Sequence, residues 1–167
     1  MDIVKPAIEW AKAEVFSAQF FILFGILFVL ASIGFWQLGR SEIAKHYMYS
    51  TAVAGALLIV IGAGLVYANV ARMHQFEGTH GSHVAALAQS ETTRAQRTIA
   101  EYKMVVFKAI PLLIAAASLL IMALDNPMWR AISITTIAFL SVLLLVDSNA
   151  SARMDAYYQQ LTQQPRE

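Results

Sequence analysis

The chain has 167 residues, of which 58% are hydrophobic and 14% charged, whereas soluble domains run nearer 45–50% and about 25%. So small a globule cannot bury that excess, which leaves a membrane protein as the class. A net charge of +1 supplies no bulk attraction to nucleic acid, and the absence of cysteine excludes disulfides, thiolate metal sites and iron–sulfur clusters.

In chain order, residues 1–14 (MDIVKPAIEWAKAE) read as an interfacial helix. Pro6 suits its first turn, and Ile8, Ala11 and Val15 share a face. Trp10 is expected at headgroup level. An N-terminal extension of the first span is the other reading. Residues 15–39 carry no acidic or basic side chain and are long enough for a tilted span. The run exceeds a signal-peptide core, and no small-residue cleavage site follows it. A short polar link, RSEIAK, leads to a second span over 47–71. Small residues crowd its interior. Ala52, Ala56 and Ala63 share one face and Gly55 and Gly62 another, a pattern that lets helix backbones approach closely in lipid. Packing inside one bundle and a homo-oligomer seam are both consistent with it.

Residues 72–104 form the one long polar segment and open with RMHQFEGTHGSH. A loop is expected here because of Gly78 and Gly81, followed by a helix from about residue 84 that runs into span three. Pro111 should kink that helix near the membrane surface. Spans three and four (105–124 and 129–149) form a hairpin around Asp125-Asn126-Pro127. Their charge-free runs, 109–124 and 131–146, each cover about 24 Å as helix, short of the roughly 30 Å hydrocarbon core. The next residues outward are Lys108 and Asp147, about the same distance from the turn and of opposite sign. They are read as an intramembrane ion pair, with snorkelling of both side chains as the alternative. Beyond span four, Ala150, Met154, Tyr157 and Leu161 make an apolar stripe on a helix expected over 150–162, packed on a matching stripe at Ala95, Ile99, Tyr102 and Val106.

The resulting fold class is all-α: a polytopic membrane protein, one domain over 1–167, built as an antiparallel bundle of four transmembrane helices with helices 3 and 4 extended into the cytoplasm. Nine of the twelve Lys and Arg residues fall on the side of the termini and of 72–104, which places both termini in the cytoplasm of a bacterial inner membrane.

Three groups of residues have the chemistry for a site. His74, Glu77, His80 and His83 are donors suited to zinc, iron or manganese, although spacing by threes on a glycine-broken segment is no standard ligand pattern. A pH-sensitive loop and a solvated linker are the other readings. Lys108 and Asp147, with Ser118, Ser133 and Thr136, could serve structure, a proton relay or an ion path. The small-residue faces of span two suit helix contacts. No phosphate loop, nucleophile elbow or HExxH is present, so no catalysis and no cofactor is expected, a divalent transition metal excepted. The expected partners are the lipid bilayer and another membrane protein, with a homo-oligomer as an option and nucleic acid excluded. The leading functional expectation is helix–helix contact with another membrane protein, either as an accessory subunit or as an immunity protein against a pore-forming toxin. The alternatives are a small homo-oligomeric channel or transporter, and a metal or pH sensor using the His74–His83 loop.

Overall fold

A computed structural model describes residues 4–78 and 83–163, with side chains in 83–85 excepted. All secondary structure among the described residues is helical, with no strand. The elements are α1 (Val4–Leu38), α2 (Glu42–Glu77), α3 (His83–Met104), a π-turn (Val105–Ala109), α4 (Ile110–Ala123) and α5 (Pro127–Gln163). Because α3, the π-turn and α4 are continuous, four helices are long and apolar enough to cross a membrane: Val4–Leu38, Glu42–Glu77, Ala86–Ala123 and Pro127–Gln163.

Of the two readings of the N-terminal segment, the extension of the first long helix is the one seen: α1 runs without a break through Glu14, and Ala7, Trp10 and Ala11 are buried against neighbouring helices. Trp10 therefore packs inside the molecule rather than facing outward. α2 also outruns its expected end. Its last turns, through Glu77, remain helical because Phe76 is 2% exposed and packs into the same cluster as Trp10 and Met154.

α1 and α2 share the most extensive contact in the molecule. They run antiparallel, since Gly25 lies against Gly55 while Ala18 and Ile22 lie against Gly62. A Cβ on Gly55 would stand 2.8 Å from the Gly25 carbonyl oxygen, and one on Gly62 would stand 2.9 Å from that of Ala18. Backbones this close leave no room for a side chain. The two small-residue faces of α2 are thus used differently: Gly55 and Gly62 are buried on α1, whereas Ala52, Ala56 and Ala63 are exposed. Near the far end of this pair, Ser32 Oγ donates to the Met48 carbonyl at 2.8 Å.

The hub is α5, which touches α1, α2, α3 and α4. The Asp125-Asn126-Pro127 turn forms as its chemistry dictates, with Asn126 Oδ1 accepting from the Met128 N–H at 2.9 Å to cap α5. At Pro111 the chain adopts a π-turn over Val105–Ala109 rather than a simple kink. The wider turn ends directly before α4 and accommodates the missing N–H and ring bulk of Pro111 in the first turn of α4. α4 itself is thinly held. Ile110 and Ala117 are buried and Ile114 and Ile121 half-buried, a single stripe of turns along α5, while its other residues are exposed. It has no substantial contact with α1 or α2.

The glycine seam makes a direct prediction. Gly62→Ala should destabilise the detergent-solubilised protein by about 1–3 kcal/mol, the usual range for overpacking. Gly64→Ala, whose added methyl meets nothing within 4 Å, should be neutral or slightly stabilising through helix propensity. Unfolding by SDS titration in mixed micelles separates them; equal effects would contradict the seam.

Candidate functional site

At the end of the molecule holding the N-terminus, four helices meet around a buried charged and aromatic cluster. The sequence places its members far apart, and each arrives by helical spacing. Trp10 and Glu14 lie one turn apart on α1, Arg72 and Phe76 one turn apart on α2, Glu91 and Arg94 three apart on α3, and Arg153 and Tyr157 one turn apart on α5. The Trp10 ring stacks on Tyr157 with centroids 5.4 Å apart and planes inclined by 19°. The Arg94 guanidinium lies 4.4 Å from the Trp10 ring centroid and that of Arg72 5.7 Å. Arg94 Nε donates to both carboxylate oxygens of Glu91, at 3.0 and 3.2 Å. Glu91 Oε2 in turn accepts from the Tyr157 hydroxyl at 3.1 Å. Glu91 is only 5% exposed, so its charge requires both partners.

A second charged link ties α1 to α5. Arg153 donates through Nε and Nη2 to Glu14 Oε1 at 3.2 and 3.0 Å. Burial drives the Tyr157 hydroxyl well above its ordinary pKa, and the Glu91 charge and hydrogen bond push the same way, so Tyr157 stays a donor at any physiological pH. Burial, followed by the neighbouring Arg94 charge, lowers the Arg72 guanidinium below its usual value, and Arg72 Nη1 hydrogen-bonds Asn69 Oδ1 at 2.9 Å. Trp10 Nε1 is buried without a hydrogen-bond partner among the described residues. That orphan costs about 1–3 kcal/mol, comparable to what stacking and two cations over one ring return. Net cohesion here therefore rests on the carboxylates.

The residues singled out from sequence fare unevenly. Lys108 and Asp147 do not form the expected pair: among the described residues no ion pair joins them. Lys108 is exposed on the π-turn and lines a shallow groove with Lys103, Ser148, Ser151 and Asp155. The reason is rotational. The face of this helix that meets α5 runs through Val106 and Ile110, and Lys108, midway between them, points off it; similar distance from the turn does not imply the same azimuth. Asp147 is half-buried, within electrostatic range of Tyr102 and Glu14.

Ser118 donates to the Ile114 carbonyl at 2.8 Å on the exposed side of α4, away from Ser133 and Thr136. These two line a cleft between α2, α4 and α5. His74 and Glu77 lie on the last turn of α2, exposed, with Nδ1 and Oε2 3.7 Å apart. His80 lies outside the described residues, as does the side chain of His83, and among the described residues no group of three potential ligands converges.

The cleft between α2, α4 and α5 encloses about 670 Å³ and is lined mostly by apolar side chains. It exists because α4 leans on α5 alone. Its walls are Val53 and Leu57 of α2 and Leu113 and Leu120 of α4, with Phe139 and Leu140 of α5 as floor. Ser50 and Thr135 hydroxyls meet at 2.9 Å along it. Compared with protein-family models, curated proteins and solved structures, the chain matches none of them.

Removing single members of the cluster should give graded losses. Tyr157→Phe removes one hydrogen bond to a charged group, about 1.5–3 kcal/mol. Glu91→Ala strands Arg94 and should cost more, about 3–5 kcal/mol. Arg97→Ala, whose partner Glu101 is exposed, should cost under about 1 kcal/mol. Chemical unfolding in micelles checks the order, and a flat series would contradict the network.

Proposed function

We propose that this chain is a non-catalytic protein of a bacterial inner membrane that acts by helix–helix contact with another membrane protein. In this reading the four spans form an antiparallel bundle, both termini are cytoplasmic, and helices 3 and 4 project into the cytoplasm. The partner is either a larger envelope complex that the chain serves as accessory subunit, or a pore-forming toxin that it intercepts as an immunity protein.

The observation that carries the reading is the bare alanine face of α2. Ala52, Ala56 and Ala63 are exposed, while Gly55 and Gly62 on the same helix are consumed by α1. In lipid, where apolar area supplies no drive for association, a shallow strip of small side chains is where another helix approaches closely enough for dispersion to accumulate. The orientation draws support from the nine-to-three split of Lys and Arg.

A photoactivatable residue in place of Ala56 should give a discrete heterologous adduct in intact cells, one that is absent with the same residue at lipid-facing Leu30. An adduct of twice the chain mass would replace the partner by a second copy, and no adduct at all would overturn the reading. Orientation is read separately, because the chain contains no cysteine. Ser90→Cys should react with an impermeant maleimide only after the inner membrane is opened, and Arg40→Cys before it; the reverse order would invert the topology.

A further inference from the structure

The cleft between α2, α4 and α5 has features that helix packing alone does not use. Ser133 is 3% exposed and lines it, yet its hydroxyl makes no hydrogen bond among the described residues. Thr136, one turn on, also lines the cleft and makes none. On these helices Ser118, Ser141 and Ser148 each donate to the carbonyl four residues back, whereas Ser151, buried on α5 beyond the cleft, makes no such bond either. Ser133 differs from Ser151 in lining the cleft, where an occupant that brings an acceptor or donor satisfies its hydroxyl.

We propose that this cleft binds a single uncharged amphiphile, an acyl or isoprenoid chain ending in a carbonyl or hydroxyl head, with Ser133 and Thr136 holding the head. Its chemistry follows from the lining. No Asp, Glu, Lys or Arg borders the cleft, so a phosphate-bearing head finds no counter-charge within it. The hydroxyls of Ser133 and Thr136 on α5, with His46 and Ser50 on α2, supply the polar groups of the lining. Leu57, Leu113, Phe139 and Leu140 supply the apolar slot.

The volume of about 670 Å³ falls inside the range of about 300–1,000 Å³ typical of small-molecule pockets, which combine apolar walls with few polar groups. This site lies on a different side of α2 from the alanine face, and its occupancy does not depend on a protein partner.

The test uses the full chain in vesicles of phosphatidylethanolamine and phosphatidylglycerol, with two photoactivatable probes of equal chain length. One is a diazirine-bearing monoacylglycerol and the other a diazirine-bearing phosphatidylglycerol. The neutral probe should label peptides covering 46–57 and 128–140, with labelling suppressed by excess unlabelled monoacylglycerol. Ser133→Ala with Thr136→Val should reduce that labelling at least fivefold. Leu57→Trp, which fills the slot from a position already half exposed, should do the same with the SDS unfolding midpoint unchanged. Equal labelling by both probes, labelling without competition, or labelling indifferent to both variants would show ordinary annular lipid and overturn the proposal.

Discussion

Glu14 and Arg153 are the two charges this chain must reconcile before anything else can pack. Glu14 borders a long apolar run and Arg153 follows one by seven residues, and each is largely withdrawn from water, with side-chain exposures of 13% and 30%. Neither is cheap to leave alone at that depth. Their pairing lays the first turns of α1 against the extended part of α5, and the rest of that end follows. Trp10 then falls onto Tyr157, Arg94 onto Trp10, and Glu91 between Arg94 and Tyr157. Phe76 closes the cluster from α2. One ion pair thus sets the register in which four helices converge.

The opposite end is organised by a different force. Close backbone approach at Gly25, Gly55 and Gly62 binds α1 to α2, and the α2–α5 contact includes a hydrogen bond between Ser50 and Thr135. α4 receives neither device. Its one apolar stripe meets α5, and no charge or glycine pulls it toward α2. The molecule is therefore tightly tied where the charges are and open where they are absent. The cleft is a consequence of that asymmetry.

Much of the secondary structure was legible because its causes are local. Charge-free runs gave the spans, the Asp125-Asn126-Pro127 chemistry gave the turn, and the spacing of Ala150, Met154, Tyr157 and Leu161 gave a stripe that is buried throughout. What failed was rotational or long-range. Counting residues from a turn yields only an approximate depth for Lys108 and Asp147 and says nothing of azimuth, and Lys108 points away. Glu14 stands just outside its charge-free run, but Arg153 lies seven residues beyond the end of the run at Val146, and nothing local says that α1 and α5 are neighbours. Trp10 was misplaced for a related reason. An aromatic residue near a span end suits the headgroup region equally well until a stacking partner 147 positions later (157 − 10) is known. The unpartnered state of Ser133 and Thr136 is likewise invisible in sequence, since a helical hydroxyl ordinarily satisfies itself on the preceding turn.

The central claim, that the Glu14–Arg153 link sets the register of the whole charged end, is tested most directly by a double-mutant cycle. Glu14→Gln, Arg153→Met and the double variant are compared by unfolding free energy in mixed micelles. Direct contact predicts a coupling of about 1–3 kcal/mol, within the range for charged neighbours, with the double variant less damaged than the sum of the singles. Additive losses, a coupling near zero, would contradict it.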